Sequence, residues 1–183
     1  MLFNVFNARL LSMDNKDKKS FYESATRNIL AQIGTMGLSD FKEKQAIYYV
    51  KLFRELFKYD EIKRWTFLTP ENHIWDFGYD SAGFCYASSI TFAIAMGFND
   101  WQLMYIDGDK WAGGLPHYWL QHKSSKTFFD ITYDQFAVDG FTVPYEIGES
   151  VAFALAPGDA AFKFADAAGV DIIKTLKGAN KRK

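Results

Sequence analysis

His117-Tyr118-Trp119-Leu120-Gln121-His122-Lys123-Ser124-Ser125-Lys126-Thr127-Phe128-Phe129-Asp130-Ile131-Thr132 reads as two strands, 117–122 and 127–132, around a polar turn. A tip of two residues (124–125) or of four (123–126) gives the same register. Leu120 then opposes Phe129, Trp119 opposes Asp130 and His117 opposes Thr132. Directly opposed residues share a face, and so do residues two apart. His117 and Asp130 are therefore expected on one face as diagonal neighbours, roughly 7–8 Å apart at the backbone. A three-residue tip would slip the register by one and separate them.

Other elements arrange themselves around this hairpin. From Trp101 the sequence has period two: Trp101, Leu103 and Tyr105 alternate with Gln102, Met104 and Ile106, and Asp107-Gly108-Asp109 makes a turn. Residues 111–116 form a glycine-rich connection. Upstream, Gly83-Phe84-Cys85-Tyr86-Ala87-Ser88-Ser89 marks a loop handing over to a helix, with Asp80 or Ser81 as its cap and Gly97 as its stop. That helix is apolar nearly all round, which predicts a central helix packed on a sheet. A capping box at Ser20 and Glu23 predicts a helix over 20–33 after a charged loop at 13–19. Ser39 or Asp40 caps the next, over 41–59, where Ile47, Val50, Phe53, Leu56 and Phe57 recur at helical spacing. Lys44, Lys51, Glu55 and Lys58 form its solvated face. Residues 60–82 read as an irregular approach segment, and 137–150 as loop. The stretch 152–168 is alanine-rich but broken at Pro157-Gly158, which predicts a short strand and then a helix from Asp159. Lys181-Arg182-Lys183 ends a basic tail.

The chain has 183 residues, 49% hydrophobic and 18% aromatic, which predicts one folded domain rather than a disordered chain. Its parts are a helical region of about 1–60, a core of about 70–150, and a C-terminal helix with the basic tail at about 151–183. A net charge of -1 gives no overall attraction to nucleic acid or to an anionic membrane. The N-terminus is a poor signal peptide, because Asn and Arg interrupt its apolar residues. The longest apolar run, 90–98, is too short to span a bilayer. One cysteine makes no internal disulfide and suggests a reducing compartment, so a cytoplasmic location is expected.

Cys85 is therefore either a small apolar core residue or a nucleophile. Cysteine, histidine, aspartate is the order of a thiol-dependent catalytic triad. A helix N-terminus and a nearby imidazolium both favour the thiolate. The histidine then serves as acid toward the leaving group, and the aspartate fixes its tautomer and supports its charge. Each residue also has a plainer role: an inert thiol, a satisfied polar side chain on a strand, a turn cap. Order, helix start and shared face together favour Cys85, His117 and Asp130 as the catalytic set. His73, Cys85, His117 and His122 lack metal-site spacing, so neither metal nor cofactor is expected. Gly113-Gly114 is no phosphate loop, since no Lys-Ser/Thr follows. Trp111, in a loop, is a candidate to line a substrate groove or to pack. Asp134 and Gln135 are candidates for binding substrate polar groups, with Asp134 alternatively a turn cap.

These same residues resemble a group of small phage and bacterial proteins that carry Gly-His-Cys-Tyr, then His-Trp/Tyr-x-Leu, then Asp-Pro-Thr-x-x-Gln-Phe. The matching elements here are Gly83-Phe84-Cys85-Tyr86, His117-Tyr118-Trp119-Leu120 and Asp130-Ile131-Thr132-Tyr133-Asp134-Gln135-Phe136. The His-x-Trp and Asp-x-Thr elements also resemble the transglutaminase-like, papain-like cysteine superfamily. The resemblance covers about 83–146, includes Pro144-Tyr145, and leaves the N-terminal helices unexplained. Phe84 and Ile131 depart from it, standing where the group has His and Pro. It implies a papain-like or transglutaminase-like architecture; with the helices read above, the expected fold is α+β, with N-terminal helices and a central nucleophile helix packed on an antiparallel sheet. It also implies acyl chemistry on a protein or peptide amide: hydrolysis, deamidation or transamidation. Cys85 would be the nucleophile, His117 the acid/base and Asp130 the orienter. Trp75 is a candidate indole donor to the oxyanion or, alternatively, a core residue, with the Cys85 backbone N–H as the other oxyanion donor. A different class remains open: a catalytically silent phage-type protein that binds and inhibits a host factor in the host cytoplasm.

Overall fold

In the computed structural model, which describes residues 13–67, 79–153 and 157–174, helices come first, then a sheet, then a further helix. Helix α1 (Asn15–Gly34) begins before Ser20, because Asp14 at its N-cap accepts from the Asp17 N–H at 2.8 Å. A carboxylate there satisfies an orphan donor at the positive end of the helix, so residues 15–19 are helical rather than loop. Helix α2 (Asp40–Leu56) is capped by Ser39, whose side chain accepts from the Lys42 N–H. Lys44, Lys51, Glu55 and Lys58 are exposed, whereas Ala46, Val50, Phe53 and Arg54 are buried. Helix α3 (Asp60–Phe67) occupies part of the segment expected to be irregular. Its buried positions are Lys63 and Thr66, so no apolar stripe announces it.

Helix α4 (Cys85–Met96) buries nine of its twelve residues, which makes it the element the rest is built around. Gly97, at a φ of 92°, ends it. Neither Asp80 nor Ser81 caps it. The N-cap is Phe84, whose ring stacks on Phe57 at 4.5 Å and meets Phe67 at 5.0 Å and Phe164 at 5.2 Å. The residue before Cys85 is thus a buried peg. Phe53, Phe57, Phe92 and Phe164 complete this aromatic centre, and each fully buried ring contributes roughly 1.5–3 kcal/mol.

Strands β1 (Trp101–Ile106), β2 (His117–His122), β3 (Phe128–Phe129) and β4 (Glu149–Val151) form an antiparallel sheet in the order β3-β2-β1-β4. Ile106 pairs with His117, and Leu120 with Phe129, the pairing an even-numbered tip requires. The tip is closed by His122 N–H to Thr127 O at 2.9 Å and Lys126 N–H to His122 O at 2.8 Å. β3 is shorter than expected because Asp130 Oδ1 takes the Thr132 N–H at 2.9 Å, folding 130–132 into a turn in place of a ladder. β4 begins at the end of the stretch expected to be loop, 137–150, runs one residue past it, and pairs with β1, Val151 opposite Leu103.

Alternation gives the sheet two covered faces. Trp101, Leu103, Leu120 and Phe129 pack toward α4, which also meets α2 and α6 (Asp159–Ala167). This core is continuous from Ile29 in α1 to Ile172 beyond α6. Met104, Ile106 and Trp119 face the other way, covered by Phe136 of the short helix α5 (Asp134–Ala137), by Val143, and by Trp111 and Tyr145. The architecture is a mixed α+β fold with an antiparallel sheet. No helix among the described residues is long and apolar enough to cross a membrane.

Candidate active site

His117 begins β2, and the period of the strand places it with Trp119 on the second face of the sheet. Its ring stacks on Trp119 at 5.8 Å and meets the edge of Phe136 at 4.9 Å, which leaves it fully buried. Nε2 lies 2.6 Å from Asp130 Oδ2. The turn after β3 aims that carboxylate. Its Oδ1 accepts from the Thr132 N–H at 2.9 Å and from Thr132 Oγ1 at 3.1 Å, and its Oδ2 also accepts from the Tyr145 hydroxyl at 3.0 Å. Four donors thus converge on two oxygens, an arrangement that suits an ionised carboxylate and a proton on Nε2.

With Nε2 committed to Asp130, Nδ1 is the nitrogen left for Cys85. Burial pushes the His117 pKa down. The Asp130 charge and hydrogen bond outweigh it and, with hydrogen-bonding and charge interaction from Cys85, push it up to about 10. Cys85 itself is half-buried at the first position of α4. Phe84 offers its helix no side-chain acceptor, so the first-turn N–H groups are not consumed by a side-chain cap there. Tyr86 meets Tyr118 at 5.0 Å, and Tyr118 meets Tyr105 at 4.8 Å, forming a half-buried aromatic row beside the thiol. Burial raises the Tyr118 pKa, with smaller contributions from Tyr105 and Cys85.

A folded-state pKa above the unfolded value of 6.5 means that protonated His117 favours the folded chain. The contribution is complete below pH 6.5 and declines as the pH rises through about 10. Urea unfolding at pH 6 and at pH 10 is expected to show a larger loss of stability in the wild type than in Asp130→Asn. Equal losses would show that Asp130 does not hold the proton on the ring.

The remaining candidates fall in several places. Gln135, in α5, spends its amide inside the protein. Oε1 accepts from the Gly83 N–H at 3.1 Å, while Nε2 lies 3.2 Å from Thr132 Oγ1 and 3.3 Å from His117 Nδ1. Trp111 donates its indole N–H to Leu115 O at 2.8 Å and packs edge-on against Phe136 at 4.7 Å, its ring over Gly113. Trp75 and His73 lie outside the described residues. The indole that reaches His117 is that of Trp119, which is fully buried and so closed to a substrate. His122 lies on the opposite face, 5.1 Å from Trp101. Among the described residues, no three His, Cys, Asp or Glu side chains gather as a metal-binding group.

One cluster escaped the sequence reading. Arg54 and Asp134 form a buried, two-pronged ion pair at 2.7 and 2.9 Å. Asp134 also accepts from Tyr79 at 2.8 Å and Ser81 at 3.2 Å, and Arg54 reaches the carbonyls of Tyr22 and Ile131. Burial opposes the Arg54 charge, and Asp134 outweighs it, leaving the guanidinium more firmly protonated than usual. Asp134 is neither a cap nor open to substrate. It anchors the 130–137 segment to α1 and α2. The available signal was the position of Arg54, four residues after Val50 on the apolar stripe of α2.

Comparison with protein-family models, with curated proteins and with solved structures gave no match.

Proposed function

We propose that this protein is a cysteine-dependent enzyme acting on amides of proteins or peptides, built on a papain-like or transglutaminase-like plan. The observation that carries the reading is the buried His117 ring, held at Nε2 by Asp130 2.6 Å away, with the half-buried Cys85 thiol at a helix start among the groups that act on it. The Cys85 thiolate attacks the amide carbonyl, forming a C–S bond and a tetrahedral oxyanion. Backbone N–H groups of the first turn of α4 are the available oxyanion donors. His117 gives its Nδ1 proton to the leaving nitrogen as the C–N bond breaks, and a thioester remains. Water or an amine then attacks the thioester, His117 takes the attacking proton, and the C–S bond breaks to release the Cys85 thiolate beside the re-formed imidazolium.

A p-nitrophenyl ester tests this with a small activated acyl donor. Intact-mass and peptide analysis is expected to find the acyl group on Cys85, discharged by water or by added amine, and absent in Cys85→Ala. Acylation confined to lysines, equal in both proteins, would remove Cys85 from the chemistry. It would also favour the alternative of a silent protein that binds a host factor.

A further inference from the structure

The network around His117 constrains more than the placement of the ring. Gln135 Oε1 accepts the Gly83 N–H at 3.1 Å, so the amide cannot be turned over without setting donor against donor. The same orientation is fixed a second time. Thr132 Oγ1 gives its proton to Asp130 and therefore receives one from Gln135 Nε2, at 3.2 Å. One Nε2 hydrogen is used there, and the other is directed at His117 Nδ1, 3.3 Å away. A donor aimed at Nδ1 suits the neutral ring, whose Nδ1 carries a lone pair, and conflicts with the imidazolium, whose Nδ1 carries a proton.

We propose that Gln135 is a positioning residue that keeps the Nδ1 proton of His117 transferable, by offering an N–H to that nitrogen once the proton has left. The proposal rests on the acyl-transfer reading above, and gives Gln135 a role in place of direct substrate binding. The charged groups that act on the ring do so in the opposite sense. Asp130, from the turn after β3, and Cys85 as thiolate, from the start of α4, both hold the proton on. Tyr145, from the 145–147 turn, reaches Asp130 as a neutral donor, its pKa raised well above normal by burial. Asp134, next to Gln135 in sequence, is neutralised by Arg54. Trp119 and Phe136 contribute only apolar ring surface. A histidine gripped by a carboxylate and a thiolate alone would be a sluggish acid near neutral pH, since a good acid has a pKa near the working pH. The Gln135 amide is the one neutral donor that compensates at Nδ1, among the described residues.

The test is Gln135→Met, which preserves length and removes both amide functions at a half-buried position. Ring titration of His117 by NMR is expected to show its pKa rising by roughly 0.5–1 unit, the worth of one neutral hydrogen bond. The alkaline limb of the ester-turnover profile should move up with it. An unmoved or lowered ring titration would overturn the proposal and reduce Gln135 to an anchor for the Gly83 loop. The two ideas fail separately. Absence of an acyl-Cys85 adduct in the wild type sinks the enzyme, whereas the His117 titration is read directly on the folded protein and needs no turnover.

Discussion

Arg54→Met will destabilise the protein by about 3–5 kcal/mol, a large share of the ~5–15 kcal/mol that holds a domain of this size together. The substitution keeps most of the side-chain volume and removes the charge, leaving Asp134 as a fully buried anion. Tyr79 and Ser81 would still donate to it, but two neutral donors do not replace a two-pronged guanidinium. Arg54 also loses its bonds to the Tyr22 and Ile131 carbonyls and to Thr26 Oγ1, so α1 comes away from the 130–137 segment. Urea unfolding measures the loss. Arg54→Met combined with Asp134→Leu should recover much of it, because the buried charge is then gone. A single variant as stable as the wild type would show that the ion pair does not tie the helical layer to the site.

His117→Gln carries the second large effect. The variant offers Asp130 an amide donor and removes the titrating ring. Alkylation of Cys85 by iodoacetamide at pH 6 is expected to slow by about 100-fold. An ordinary thiol with a pKa of ~8.5 is only ~0.3% thiolate at that pH, while a thiol paired with an imidazolium is mostly ionised. Asp130→Asn should slow it in the same direction and by less, since the ring remains but loses its charge partner. An unchanged rate in His117→Gln would mean that the ring does not act on the sulfur.

The parts of the fold governed by short-range rules could be read in advance. The strand 117–122, the stop at Gly97 and the Ser39 cap follow from alternation, backbone freedom and capping. So does the pairing of Leu120 with Phe129, once the tip is even. Where two local signals compete, the sequence does not say which wins. Ser20 with Glu23 is a sound capping box, yet Asp14 captures the helix earlier. Asp130 could continue a strand or fold back on Thr132, and its side chain chooses the turn that aims it at His117. Helix α3 hides because the residues it buries are a lysine and a threonine. Long-range polar pairing was the least legible feature. Arg54 and Asp134 are separated by 80 residues, and nothing local joins them. Cys85, His117 and Asp130 were approachable because hairpin parity links two of them and a helix start marks the third. The orientation of the Gln135 amide depends on Gly83, Thr132 and His117 together, which only three-dimensional placement reveals.

A sulfur activated by an imidazole that a carboxylate holds in place shows itself in the pH profile of wild-type Cys85 alkylation, followed by mass spectrometry from pH 4 to pH 10. Rapid labelling of the folded protein is expected well below pH 8, with the rate flattening before that point. A sigmoid centred near pH 8.5, as for a free thiol, or a thiol that labels only after the protein unfolds, would contradict it.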